Sequence, residues 1–293
     1  MARRAHKPVE LQSRCFRGSD AVKNGQLTAE QLRGPAWRRL FRDVYADADL
    51  PVTHRLRCRA VGLILPPGAA LTASSAACVD ALPLGAEREP VHVLVPPGTR
   101  FSPRGCRARQ AWLPPTHIRL GEPPITVPQR TAWEIARGPD LVEAVVTLDV
   151  LLHHKYFRAG SMDSWAAAYP RSRAAKALSL ADGRAESPQE SRARLRIIAA
   201  GFPAPTPQYE VRINGLFLAR LDLAWPAAKV AVEYDGEWHA EIRQFASDRA
   251  RWNKLLDAEW VVLSLTKRDL ADPVLFATFC RQLKSALARG YAR

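Results

Sequence analysis

The chain has 293 residues, enough for two cores, and its 43 Lys plus Arg against 29 Asp plus Glu give a formal net charge of +14. That excess argues against a protein built only for neutral metabolites and for a polyanionic partner, nucleic acid first. No apolar run approaches the ~18 residues of a membrane span, and the opening MARRAHKPVELQSR lacks the apolar segment of a secretory signal. Five cysteines, at 15, 58, 78, 106 and 280, show no C-x-x-C spacing and read as reduced thiols. The expectation is a soluble cytoplasmic protein with no membrane partner.

Residues 1 to 60 hold 13 Lys/Arg and 6 Asp/Glu, so the basic excess is strong at this end. Within them, FRGSDAVKNGQLTAEQLRGPAWRRLFRDVYA predicts a short helix, a turn at Asn24-Gly25, a second helix capped by Thr28, and a strand pair near Leu40 to Tyr45. Arg33, Arg38, Arg39 and Arg42 crowd the second helix and the strands, as in a winged helix-turn-helix that meets phosphates; a solvated basic face would have the same spacing. A helix over 52 to 65 follows, with another after Ser74 as its cap, then strands at VHVLV and around 107 to 112. From Pro128 the pattern is helical through Ile135, Leu141, Val145, Leu148 and Leu152, a packing pattern without evident chemistry.

ADGRAES, residues 181 to 187, marks the expected boundary of a last domain. Beyond it the elements read α-β-β-β-α-β-α: a helix starting at Ser187-Pro188, a hairpin turning at Asn214-Gly215, KVAVEYD, a polar helix from about 240, WVVLSLT, and a final helix from about 273. That order predicts one mixed sheet with helices on its faces.

The acids of this last domain are the candidate chemistry. Asp222 interrupts the apolar strand LARLDLAW, where a polar group requires a partner; Arg220, two residues away, is one candidate. Glu233 and Asp235 fall on one face of the next strand, where like charges repel unless a cation or donors hold them. Glu190 either completes a capping box with Ser187 or joins these acids. Carboxylates on adjacent strands suit Mg²⁺ (or Mn²⁺), which prefers hard oxygen ligands, and His239, three residues past Gly236, could exchange a proton near neutral pH.

Ser-Pro-Gln-Glu-Ser, Arg-Leu-Asp-Leu-Ala-Trp-Pro, Val-Ala-Val-Glu-Tyr-Asp-Gly with His239, Asp248-Arg249 and Ala-Glu-Trp-Val-Val-Leu together resemble a bacterial family related to the very-short-patch-repair (Vsr) endonucleases of the PD-(D/E)XK superfamily. The resemblance covers about 183 to 293 and implies an αβββαβ restriction-endonuclease-like core. In it Asp222 takes the aspartate position, Glu233 the glutamate position, Glu190 the helix acid, and His239 an acid/base role. Where E-x-K would supply lysine this chain has Asp235, either a further metal ligand or a loss of function; Lys229, Arg249, Arg251 and Lys254 are candidate substitutes for the charge. The first half is similar to the N-terminal part of AbiEi-type antitoxins, which implies DNA binding and a toxin partner or a homodimer.

The expected organisation is therefore a winged helix-turn-helix over 1-50, a mixed and then helical linking region over 51-182, and a nuclease-like domain over 183-293. The expected function is a DNA-binding, Mg²⁺-dependent endodeoxyribonuclease. Its alternative is a non-catalytic, antitoxin-like regulator with a degenerate nuclease fold.

Overall fold

The computed structural model describes residues 7–235 and 253–292. The chain forms two compact units, Met1–Ile135 and Ala136–Arg293.

In the first unit, β1 (Cys15–Arg17), α1 (Gly18–Lys23), α2 (Ala29–Arg33), β2 (Trp37–Phe41) and β3 (Val44–Asp47) form two short helices and a sheet of order β1-β3-β2. Thr28 caps α2 with a full capping box through Gln31, as its sequence predicts. Leu11, Phe16, Leu27, Leu32 and Trp37 close a small core, with the Trp37 ring edge-on to Phe16 at 5.0 Å. Strand β1 lies where a loop-to-helix start was expected. Three residues carry too little periodicity to announce a strand, and pairing with β3 makes it one.

The rest of this unit packs α3 (His54–Gly62) and α4 (Ala73–Val79) against a sheet of order β6-β5-β4-β8-β7, comprising β4 (Ala70–Leu71), β5 (Val91–Val95), β6 (Cys106–Gln110), β7 (Ile118–Arg119) and β8 (Ile125–Thr126), and ends in α5 (Pro128–Ala136). Thr72, rather than Ser74, stands at the N-cap of α4; the Ser74 hydroxyl donates to Glu89 instead. Phe41 and Val44 belong to the same core as Cys58, Val61, Leu71 and Val91, so residue 50 marks no break in packing. All five cysteines are free, and burial pushes Cys58 up to about 12 and Cys15 and Cys106 up to about 11, which keeps these thiols protonated at neutral pH.

His54 is buried and shares a 2.9 Å hydrogen bond with Ser75, while Gly85, at φ +84°, leaves room for its ring: a Cβ there would come within 2.4 Å of it. Burial holds His54 below its ordinary 6.5, and Glu89 only partly offsets this; burial lowers His92 and His117 as well. The unfolded chain then binds more protons than the folded one below pH 6.5. Stability of this unit is accordingly complete above pH 6.5 and is lost as pH falls from there toward the folded-state values. Melting followed from pH 7.5 to 5.5 is expected to show that loss, and His54→Asn to flatten part of it.

The second unit begins with α6 (Leu141–His153), α7 (Asp163–Ala168), α8 (Arg173–Leu180) and α9 (Pro188–Ala199). Strands β9 (Thr206–Ile213), β10 (Leu216–Trp225), β11 (Val230–Asp235) and β12 (Val261–Thr266) form one mixed sheet of order β12-β11-β10-β9, followed by α10 (Lys267–Ala271) and α11 (Pro273–Tyr291). This is the mixed sheet the element order predicts; the polar helix expected from about 240 lies largely outside the described residues.

Two apolar clusters sandwich the sheet. Leu223, Trp225, Val230 and Val232 pack with Ala193 and Ile197 of α9 and with Phe279, Leu283 and Leu287 of α11, while Val211, Ala219, Leu221 and Ala231 pack with Leu255 and Trp260. Gly290 lets α11 lie against the chain at Ala228, whose carbonyl oxygen would be only 2.1 Å from a Cβ. Residue 182 is no boundary either: α9 binds α6 through the buried pair Arg194–Asp149.

Candidate active site

Strand β10 changes sides at Asp222. Alternation would place Leu221 and Leu223 on one face, yet Leu221 joins one apolar cluster and Leu223 the other. The neighbouring strand shows the cause. Gln208 of β9 has φ +49°, a left-handed conformation uncommon for a non-glycine residue, and the β9–β10 ladder passes from Leu221↔Tyr209 to Leu223↔Pro207 with no pair between. The kink leaves Asp222 half-buried, beside the likewise half-buried Gln208 and Glu233.

The acids meet at this kink. Glu190, in the first turn of α9, is 8% exposed; its backbone N–H donates to Ser187 Oγ at 3.2 Å, and its Oε2 accepts from the Glu186 N–H at 3.0 Å and from Gln208 Nε2 at 2.8 Å. Ser187 caps the turn, but the Glu190 carboxylate does not complete the expected box: it takes the Glu186 N–H, one residue before the cap, and the Gln208 amide. The same Gln208 Nε2 donates to Asp222 Oδ1 at 3.3 Å. Asp222 Oδ2 accepts from the Tyr234 N–H at 2.9 Å, and Glu233 Oε1 accepts from the Asp222 N–H at 3.4 Å. The β10–β11 ladder ends at Leu223↔Val232, and beyond it each of these strands gives a carboxylate to the other's backbone. The strands splay there and leave an open pocket of about 390 Å³ whose lining includes Gln208, Arg220, Asp222 and Glu233.

Three of the expected residues, Glu190, Asp222 and Glu233, are thus brought together from a helix and two strands. Asp235 ends β11 on the same face as Glu233, exposed and opposite Thr266 of β12, and no hydrogen bond among the described residues joins it to the other three. His239 lies outside the described residues, as do Arg249 and Arg251. Arg220, the candidate partner of Asp222, donates instead to Glu186 at 2.8 Å. Lys229 bonds Glu259 at 3.0 Å and stands at the opposite end of β11 from Asp235, roughly 13 Å from Glu233 at the rise of an extended strand. Gln208 was not anticipated. Counting outward from the Asn214-Gly215 turn pairs Gln208 with Leu221; the irregularity between Phe217 and Ala219 shifts the register by one and sets it against Asp222.

Hard carboxylate oxygens around a shared donor are a set that a divalent cation can also use. Among the described residues no three His, Cys, Asp or Glu side chains converge as a ready metal cluster, and the Gln208 amide stands between Glu190 and Asp222.

The four expected phosphate contacts of the first unit, Arg33, Arg38, Arg39 and Arg42, are exposed. Arg33 ends α2 and Arg42 lies in the β2–β3 turn, whereas Arg38 donates to the carbonyls of Ala48 and Leu50 and Arg39 to that of Phe41. No helix among the described residues is long and apolar enough to cross a membrane.

No family model matches the chain, and no solved structure matches it. Two proteins of Mycobacterium tuberculosis do: "Uncharacterized protein MT2308" of strain CDC 1551 / Oshkosh and "Uncharacterized protein Rv2248" of strain ATCC 25618 / H37Rv. Each is 37% identical over 151 residues, which is 50% of this chain and 55% of the relative. The chain spans about half the length of the curated relatives it matches.

Proposed function

We propose that this is a DNA-binding protein whose second unit is a metal-dependent endonuclease of restriction-endonuclease-like core. The observation that supports it best is the hydrogen-bonded series that runs from Glu190 through the Gln208 amide to Asp222 and from the Asp222 N–H to Glu233, where β10 and β11 part. In this reading Asp222, Glu233 and Glu190 hold Mg²⁺ or Mn²⁺, with Asp235 at the rim. The bound ion supplies polarisation of the phosphodiester and activation of water. The chain's own residues do the rest: Gln208 holds two like-charged carboxylates together, and the backbone N–H groups of Asp222 and Tyr234 orient Glu233 and Asp222. His239 is the candidate to move a proton. The helix pair and hairpin of residues 15–47 act as a winged helix, with Arg33 and Arg42 offering phosphate contacts and Arg38 and Arg39 flanking them.

Purified protein is expected to cut plasmid or single-stranded DNA with Mg²⁺ or Mn²⁺ and to stop with EDTA. DNA binding is expected to weaken steeply with salt, as counterion release by several phosphate contacts requires; affinity indifferent to salt would count against the reading.

A second reading, a non-catalytic regulator with a toxin partner or as a homodimer, is favoured by Asp235 in the lysine position and by the lack of a ready three-ligand cluster among the described residues. It predicts salt-sensitive DNA binding without cleavage.

A further inference from the structure

Beyond Leu223, the β9–β10 hairpin continues as a two-stranded ribbon without ladder pairing to β11, and at ~3.3 Å per residue the stretch from Leu221 to Leu216 is about 17 Å long. Its two faces differ. Tyr209, Val211, Ala219 and Leu221 pack into the apolar cluster with Trp260. The other face carries Glu210, Arg212 and Arg220 in the open and runs straight into Gln208 and Asp222. Near the tip, Phe217 is 56% exposed, opposite Arg212 in the ladder, with the guanidinium carbon 5.9 Å from its ring centroid. Phe217 and Arg220 line the same pocket as Asp222 and Glu233.

The two arginines are tethered in a way that is easily exchanged. Arg212 pairs with Glu210 at 2.7 Å and Arg220 with Glu186 at 2.8 Å, and all four side chains are about half exposed. Exposed pairs of this kind contribute little to stability, so a phosphate can replace the carboxylate at small cost, and arginine's fork suits phosphate oxygens. An exposed aromatic ring flanked by arginines is a platform for a sugar or base of a single or locally opened strand.

From this placement we infer that the open face of the β9–β10 ribbon is the track along which a nucleic-acid strand reaches the acids: Arg220 and Arg212 take successive backbone phosphates and Phe217 stacks on a nucleotide beyond them. The inference rests on the nuclease reading of the acids. It commits to nucleic acid because the exposed polar groups are arginines in tradeable pairs, the chain as a whole is strongly basic, and the track ends at the carboxylate site.

The test is equilibrium binding of a fluorescent single-stranded oligonucleotide to the full chain with EDTA present, across a salt series, for the parent protein and for Arg212→Gln, Arg220→Gln and Phe217→Ala. Each arginine variant is expected to lower the slope of log affinity against log salt by about 0.7, the share of one phosphate contact on a single strand. Phe217→Ala is expected to weaken binding about tenfold at unchanged slope, and Phe217→Trp to restore it. Unaltered melting would show that the variants are folded. If the parent binds with salt dependence while all three variants match it, the track is wrong and the nuclease reading stands. If the parent binds no nucleic acid even at low salt, both fall together. A parent that self-associates and is dispersed by Phe217→Ala, with binding unchanged, would make the ribbon a contact between copies and overturn the track.

Discussion

Glu233→Ala protein is expected to lose more than about a hundredfold of any Mg²⁺-dependent cleavage, since even groups that only orient metal ligands cost 10- to 100-fold when removed. Asp222→Asn should behave alike. The asparagine keeps one oxygen, enough for the Tyr234 N–H that Oδ2 accepts, but puts an NH₂ where Oδ1 accepts from Gln208, so it removes that bond together with the negative charge. The cost in folding is small by comparison. Glu233→Ala strips the acceptor from the Asp222 N–H, a partly buried bond worth about 1 kcal/mol. Cleavage assayed beside melting temperature therefore separates the two roles. A parent enzyme that cuts, with Glu233→Ala folded and cutting equally well, would remove this site from the reaction; a parent that binds DNA and never cuts would favour the regulator.

Arg194→Met is expected to destabilise the second unit by about 3–5 kcal/mol, the cost of leaving a buried charge without its counterion. Arg194 on α9 donates to Asp149 on α6 at 2.8 Å and to the carbonyl of Leu180, the last residue of α8, at 2.8 Å, while the other Asp149 oxygen accepts from the Asp182 N–H at 2.6 Å. The two side chains are 6% and 1% exposed. Burial raises the Asp149 pKa and the guanidinium only partly offsets it, which marks a carboxylate that depends on its partner to stay charged. Asp149→Asn, keeping an acceptor and removing the charge, should cost less than Arg194→Met. The double change Asp149→Leu with Arg194→Met should recover much of the loss, because no charge is then stranded. Urea unfolding of these proteins, with Asp149→Leu alone added to complete the cycle, measures this directly. Additive losses in the double variant would show that the pair is not coupled.

The same pair shows why the domain plan drawn from sequence differs from the packing. ADGRAES has the composition of a linker, but Asp182 donates its backbone to Asp149 and Ala185 is buried, so the segment is a turn between packed helices. Polar composition records what a segment can do in water; it does not record which side chains dock on it. Likewise, the strands near 40 to 45 read correctly as a hairpin, but their shared core with residues 58 to 95 depends on contacts between residues far apart in sequence.

What the sequence by itself determined is the local grammar: Thr28 and Ser187 as caps, Asn214-Gly215 as the hairpin turn with φ +50° and +80°, and the α-β-β-β order that yields one mixed sheet. It also singled out the acids, because Glu233 and Asp235 alternate on one strand and Asp222 interrupts an apolar one. What only the tertiary structure decided is how they meet. A one-residue shift in the β9–β10 register sets Gln208 against Asp222, its left-handed backbone turns β10 from one face to the other, and α9 carries Glu190 across to the same amide. Period-two alternation predicts the face of a residue only while the ladder is regular, and a single extra residue reverses that prediction for every position beyond it.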